Sequence, residues 1–301
     1  MFIRIRDIEL FASVEGDENS PLMICLHGGR GTENHVGEFE IFRRFSDRFR
    51  VVAYDQRGCG KSPLGEDISS EIMVADLEEV RLQMGGDRPA VIIGFSYGGM
   101  IAMLHALHYP DAVSHLITIG SPLSHEFEEL ALAEFDRRHS IDAPAASRTM
   151  IERQLRHGFE SELQWRIVKF AMRGLYRPGI SPNEALASAL DPASTINIEA
   201  HKRLWMGSSY DIRPQLGELK SKLLAISGEL DWLVPPSNAD ELLAIQPSAR
   251  YLVVPGVGHP AHHAARDIVL HEIRDFLVFV SNRGKFSGTH VQHFEFGRRE
   301  I

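Results

Sequence analysis

Val91-Ile92-Ile93-Gly94-Phe95-Ser96-Tyr97-Gly98-Gly99-Met100 is the stretch whose reading decides the fold. The β-branched run ahead of Ser96 reads as a buried strand. Beyond it, Met100, Ile101, Met103, Leu104 and Leu107 recur at helical spacing, and Pro110 ends the pattern. Ser96 therefore falls on a sharp strand-to-helix turn, and G-x-S-x-G in that setting predicts a nucleophile elbow. Gly94 and Gly98 let strand and helix approach closely around a strained serine. The start of the helix adds free backbone N–H groups beside the hydroxyl. On its own the five-residue pattern also fits a serine N-cap in a glycine turn; the flanking strand and helix favour the elbow.

Working outward, the same alternation continues on both sides. Phe2–Ile5 and Ile8–Val14 read as an edge hairpin. Leu22–Leu26, Arg50–Tyr54, the run before Ser96, and His115–Ile119 read as buried strands, with helices at Phe39–Phe45 and from Ser69/Ser70 to Met84 between them. From about Pro122 to about Pro214 only helical patterns occur: 126–138, 147–159, 162–175 and 183–190. Strands return at Leu223–Ser227 and Tyr251–Val254, with helices over 237–245 and 264–280. Strand-helix alternation with apolar strands predicts an α/β fold with a mostly parallel sheet and right-handed crossovers. The expected organisation is a core made of 1–121 and 214–301, an inserted helical cap over 122–213, and a loosely held polar tail at 282–301.

Composition narrows the function classes. The chain has 301 residues and a formal net charge of −9, which argues against a nucleic-acid partner. The two cysteines, Cys25 and Cys59, make no disulfide framework. Met1–Arg6 is too short and too charged for a signal peptide, and no apolar run reaches membrane-spanning length. The expectation is a cytoplasmic protein with no membrane partner and a small-molecule or short-peptide substrate. Neither cofactor nor metal is expected, since the 15 histidines include no H-E-x-x-H and the cysteines no paired C-x-x-C. Oligomeric state is not readable from these patterns.

A serine hydroxyl needs a base to attack at neutral pH, and the base needs an orienting acid. The chain supplies Asp231 after the strand Leu223–Ser227 and His259 after the strand Tyr251–Val254, in the order Ser, Asp, His. Glu229 competes for the acid role, and His262 and His263 for the base, though both lie at the start of a helix. The glycine loop His27-Gly28-Gly29-Arg30-Gly31 lacks the Lys-Ser/Thr ending of a phosphate cradle. It reads instead as a source of backbone donors: Gly29 N–H and Tyr97 N–H are the candidate oxyanion hole. His27 is expected to shape that loop by hydrogen bonding, and His105 and His108 to be structural or solvent-facing.

Taken together, His27-Gly28-Gly29-x-Gly31, Asp55-Gln56-Arg57-Gly58-Cys59-Gly60-Lys61-Ser62, Gly94-x-Ser96-Tyr97-Gly98-Gly99, Gly228-Glu229-x-Asp231 and Gly256-x-Gly258-His259 resemble the α/β-hydrolase superfamily. The Asp55–Ser62 loop is the sharpest piece and resembles the proline iminopeptidase group of serine peptidases. The resemblance implies a catalytic triad of Ser96, Asp231 and His259 and an oxyanion hole of Gly29 and Tyr97. It also implies release of N-terminal residues, often proline, from short peptides, with the free amine held by acidic side chains of the cap. Two departures stand out. Arg30 replaces the proline usual in the glycine loop and puts a cation near the pocket mouth. The Trp-x-x-Trp-Glu segment of the cap is missing, Gln164–Lys169 being the nearest stretch. Candidate substrate contacts are Arg30, Glu160, Glu162, Glu199 and Trp232. The alternatives are an esterase, lactonase or amidase for a small acyl group and, in another class, a ligand-binding receptor on a hydrolase fold.

Overall fold

The computed structural model describes residues 1–205, 209–278 and 291–293. Strands β1 (Phe2–Ile5) and β2 (Ile8–Glu15) form the edge hairpin. Then come β3 (Leu22–Leu26), α1 (Val36–Phe42), β4 (Arg50–Tyr54), α2 (Ser70–Gly85), β5 (Ala90–Phe95), α3 (Tyr97–His108) and β6 (Val113–Ile119). Between β6 and the next strand the chain is helical: α4 (Phe127–Asp142), α5 (Arg148–Glu152), a π-helical turn over Arg153–His157, α6 (Glu162–Tyr176), α7 (Pro182–Leu190), α8 (Ile198–Arg203) and α9 (Arg213–Leu216). The last part runs β7 (Lys222–Gly228), α10 (Asn238–Ile245), β8 (Arg250–Val254), α11 (Ala261–Ala264), α12 (Arg266–Val278) and β9 (Val291–His293).

Among the described residues these strands make one nine-stranded sheet in the order β1-β2-β4-β3-β5-β6-β7-β8-β9. Only β1–β2 and β2–β4 pair antiparallel; every other neighbour is parallel. The pleat sends alternate residues to opposite faces. Ile24 and Leu26 of β3 join the core under α2 and α3, while Met23 and Cys25 join the core on the other face, with Phe42 of α1 and Ile273 of α12. Burial on both faces is why these strands are continuous apolar runs. β9 falls within the expected tail and pairs in parallel with β8; residues 279–290 and 294–301 lie outside the described residues.

Local signals set the helix ends. The Ser69 side chain caps α2 by accepting from Ile72 N–H, and Gly86 closes it with φ 63°. The helix expected over 147–159 is shorter than its pattern: α5 stops at Glu152 and the chain continues as the π turn to Gly158, whose φ is 72°. The helix expected over 264–280 is α12 as far as Val278, where this described stretch stops, and the short α11 precedes it across Ala265. Helices α8 and α9 were not expected; at six and four residues they are too short to show a period. Among the described residues no helix is long and apolar enough to cross a membrane.

Burial has a consequence for acid stability. It pushes the imidazoles of His115, His201 and His262 from the ordinary 6.5 down to about 4. The unfolded chain therefore takes up these protons before the folded one does. The stability tied to the neutral rings is complete above pH 6.5 and is lost as the pH falls toward 4. The expected outcome is a Tm that declines steadily across this window in a thermal-shift series at constant ionic strength. A Tm that is flat or rising between pH 6.5 and 4 contradicts this reading.

Candidate active site

Ser96 is the residue between β5 and α3. Its φ of 50° and ψ of −117° form one of only three positive-φ non-glycine conformations among the described residues. Its N–H donates to Ile119 O at 2.8 Å, tying the turn to the end of β6. Close approach requires glycine at position 98: a Cβ there would lie 2.4 Å from the His27 carbonyl oxygen. A strained backbone persists only where its surroundings hold it, and such strain clusters at functional sites.

Asp231 and His259 follow the carboxyl ends of β7 and β8. His259 Nδ1 lies 2.9 Å from Asp231 Oδ2 and 3.1 Å from Oδ1. The same carboxylate accepts from the N–H groups of Leu233 at 2.9 Å and Val234 at 3.0 Å. Since a carboxylate accepts, Nδ1 carries a proton, and in the neutral tautomer this fixes, Nε2 holds the lone pair. The ring is packed by Phe95 at 5.0 Å and, edge-on, by Tyr176 at 5.7 Å. Both Ser96 and His259 line a cavity of about 940 Å³ at this end of the sheet. Among the described residues the Ser96 hydroxyl makes no hydrogen bond, so both it and Nε2 are available to a substrate in that cavity.

Gly29 and Tyr97 line the same cavity. Tyr97 is the first residue of α3, and neither its N–H nor that of Gly29 has a hydrogen-bond acceptor among the described residues. Gly29 adopts φ +81°, and a Cβ there would meet the Thr32 hydroxyl at 2.0 Å. His27 holds this loop as expected: Nδ1 donates to Gly28 O at 2.8 Å and Nε2 accepts from Gln56 N–H at 3.1 Å, while the Gln56 amide donates to His27 O at 2.7 Å. The Asp55–Ser62 loop thus acts through the backbone of its neighbour. Its arginine, Arg57, is turned away from the cavity, into two carboxylate pairs with Asp76 and Asp7.

The expected substrate contacts fare unevenly. Arg30 lines the cavity, and its guanidinium donates to Gln154 O at 2.8 Å and Leu155 O at 3.3 Å. Glu160, Glu162 and Glu199 are corrected: none lines the cavity, and each is exposed and paired, Glu160 with Lys202 and Arg153, Glu162 with Arg166, Glu199 with Arg203. The last two are i,i+4 helix pairs, a spacing readable as a solvated face. Trp232 is also corrected. It is fully buried, packs edge-on to Tyr176 at 5.4 Å, and belongs to the apolar core beneath α4 and α6 rather than to the cavity wall. Glu229 is not beside the imidazole; it accepts from Gly256 N–H at 2.8 Å. His105 is buried against Glu78 at 2.9 Å.

Several cavity residues gave no sequence signal, among them Glu33, Glu128, Lys169, Arg173 and Tyr176. Glu33 comes from the loop after β3, Glu128 from α4 and the other three from α6, and the three segments converge only through packing. Lys169, Arg173 and Tyr176 do share one face of α6 at i, i+4, i+7 spacing, which is the one clue. A further cluster joins α1 to α11: His262 Nε2 and His263 Nε2 lie 3.5 and 3.8 Å from Glu38 Oε1. These donors all fall within 4.8 Å of one another and could hold a metal ion. No local spacing reveals them, because Glu38 lies more than two hundred residues away in the chain.

The family model for the alpha/beta hydrolase fold matches residues 21–140. The chain is 32% identical over 279 residues to the proline iminopeptidase PfmaB of Pestalotiopsis fici, covering 92% of this chain and 98% of that one. It is 24% identical over 273 residues to a proline iminopeptidase of Xylella fastidiosa, covering 82% and 85%. Among solved structures it is similar to the enol-lactonase from Burkholderia xenovorans LB400, with a TM-score of 0.65 at 20% identity, covering 92% of this chain and all of that one.

Proposed function

The chain belongs to the α/β-hydrolase family, and on that premise we propose that it is a serine hydrolase that cleaves a small carboxylic acid derivative through an acyl-enzyme. The observation carrying this reading is the strained Ser96 turn opening into the same cavity as an imidazole whose far nitrogen is fixed by Asp231. In the reaction, Ser96 Oγ attacks the substrate carbonyl carbon and its proton passes to His259 Nε2. The carbonyl oxygen becomes an oxyanion that accepts from Gly29 N–H and Tyr97 N–H. Collapse breaks the bond to the leaving group, which takes the proton from His259. Water then adds to the acyl-enzyme by the same route and frees the acid and Ser96. Residues 122–213 serve as the cap, whose helices α4 and α6 and π turn wall the cavity, on a core of 1–121 and 214–301.

A second reading, a proline iminopeptidase-like aminopeptidase, is favoured by the similarity to the fungal relative. It calls for a carboxylate to hold the substrate's free amine, and Glu160, Glu162 and Glu199 are on the outer surface.

A fluorophosphonate probe tests the proposal. Ser96 is expected to be labelled in the native protein and labelling to vanish in Ser96→Ala. Absence of labelling in both, with folding intact, would leave a non-hydrolytic receptor as the better account. Proline p-nitroanilide against a short p-nitrophenyl ester then separates the two enzymatic readings: arylamide cleavage favours the aminopeptidase, ester cleavage alone the small-acyl hydrolase.

A further inference from the structure

The charges around the cavity are unevenly matched. Two of the carboxylates on its wall are held by cations: Glu33 pairs with Lys169 at 2.9 Å, and Glu128 accepts from Arg156 and from the Trp205 indole at 3.0 Å each. Glu38, 5% exposed, lies against the imidazoles of His262 and His263. Asp191, at the rim, is exposed and caps the N–H of Ala193. The cations are matched less closely. Arg173 reaches the cavity from α6, and among the described residues its guanidinium has no hydrogen bond and no close ion pair, with Nε buried and unpartnered; the carboxylate whose field it feels, Glu33, is already bonded to Lys169. Among the described residues the Arg30 guanidinium hydrogen-bonds two backbone carbonyls, those of Gln154 and Leu155, and feels Glu128 without bonding it. Burial lowers the proton affinity of both guanidinia, yet an arginine stays charged in proteins.

An unpaired buried charge is costly unless something brought to it supplies the counter-charge. Arg173 lies one turn before Tyr176, whose ring packs on His259, and lines the same cavity as Ser96 and His259. Arg30 directly follows the oxyanion-loop residue Gly29. A free amine entering beside Arg173 and Arg30 would meet like charge; an anionic group would meet the opposite charge.

Resting on the serine-hydrolase reading, we propose that the substrate carries a carboxylate in addition to the scissile acyl group, received by Arg173, with Arg30 adding a second positive charge beside the oxyanion loop. The substrate class is thus a half-ester, half-amide or lactone of a dicarboxylic acid type rather than an N-terminal peptide. The extra carboxylate is a handle and takes no part in bond breaking.

Two measurements test this. The first compares kcat/KM for p-nitrophenyl hemiglutarate with that for p-nitrophenyl valerate, which has the same acyl length without the charge. The anionic ester is expected to be favoured by about 10–100-fold, the range for a charge-assisted hydrogen-bonded pair. Arg173→Gln should abolish most of that ratio and Arg173→Lys retain part of it. The second measures glutarate binding to Ser96→Ala by calorimetry, which needs no chemistry. Glutarate should bind at least about tenfold more tightly than dimethyl glutarate, and the double variant with Arg173→Gln should lose the difference. Equal rates for the two esters together with equal binding, or a preference for proline p-nitroanilide, overturns the proposal while fluorophosphonate labelling of Ser96 still upholds the hydrolase. Glutarate binding without any labelling of Ser96 upholds the anion site and sinks the hydrolase reading instead.

Discussion

Ser96→Ala is expected to lower kcat by about 10⁴-fold or more while KM changes only a few-fold, because on the proposed mechanism the group lost is the attacking atom and not a binding surface. The residual rate should be that of water held against the Gly29 and Tyr97 donors. The same position offers a second readout. At φ 50° and ψ −117° a side chain costs roughly 1–3 kcal/mol that glycine avoids. Part of that gain is cancelled by the greater freedom glycine gives the unfolded chain. Ser96→Gly should therefore be inactive yet more stable, by about 1 kcal/mol or about 2 °C in Tm. A variant that keeps a tenth of the native rate, or a glycine variant that melts lower, would contradict both the role and the strain.

Arg57→Met is expected to produce the largest loss of stability of any single substitution considered. The guanidinium is 1% exposed and forks onto two carboxylates: Asp76, 3% exposed, at 2.9 and 3.0 Å, and Asp7 at 2.9 Å twice. Its pull holds the Asp7 carboxyl down to about 2. Removing one partner of a buried pair typically costs about 3–5 kcal/mol, mostly the penalty on the charge left behind. Arg6 also reaches Asp76, which keeps the expected loss toward the lower end of that range. A urea melt should show a lower midpoint with an unchanged slope. Loss of less than about 1 kcal/mol would mean that the fork contributes little beyond its own desolvation cost.

These two residues also show what the sequence could tell. The position of Ser96 was legible because three local signals coincide there: a β-branched strand, a helix period and paired glycines. Asp231 and His259 were legible as strand-end residues for the same reason. Arg57 belongs to the most recognisable loop of the chain, yet its partners, Asp7 and Asp76, lie 50 and 19 residues away. A motif records that a residue is needed and not what it touches. Glu160, Glu162 and Glu199 failed in the opposite way: acidic residues in the helical stretch were read toward the pocket, although Arg166 and Arg203 stand four residues after two of them. Trp232 failed because proximity in sequence to Asp231 places its Cα near the site but leaves the ring free to turn into the apolar core. The cavity wall itself is a product of helix packing, which no periodicity encodes.

The glycine loop that carries Gly29 does not stand by itself. Asn197 N–H donates to Gly31 O at 2.7 Å, the His201 ring bonds Arg30 O at 2.8 Å, Glu33 N–H donates to Thr195 O at 3.1 Å, and Thr32 makes a β-bridge with Ile196. With the Arg30 guanidinium on Gln154 and Leu155, the loop is stitched on both sides to the chain between β6 and β7. On the proposed function, the segment that would select a substrate also holds the loop that carries an oxyanion donor. Modularity is limited accordingly: grafting a foreign helical segment onto this core, whether by recombination or by design, would alter turnover along with preference. A change of accepted substrate made through this segment would then have to preserve the seam that keeps the proposed oxyanion donors in line.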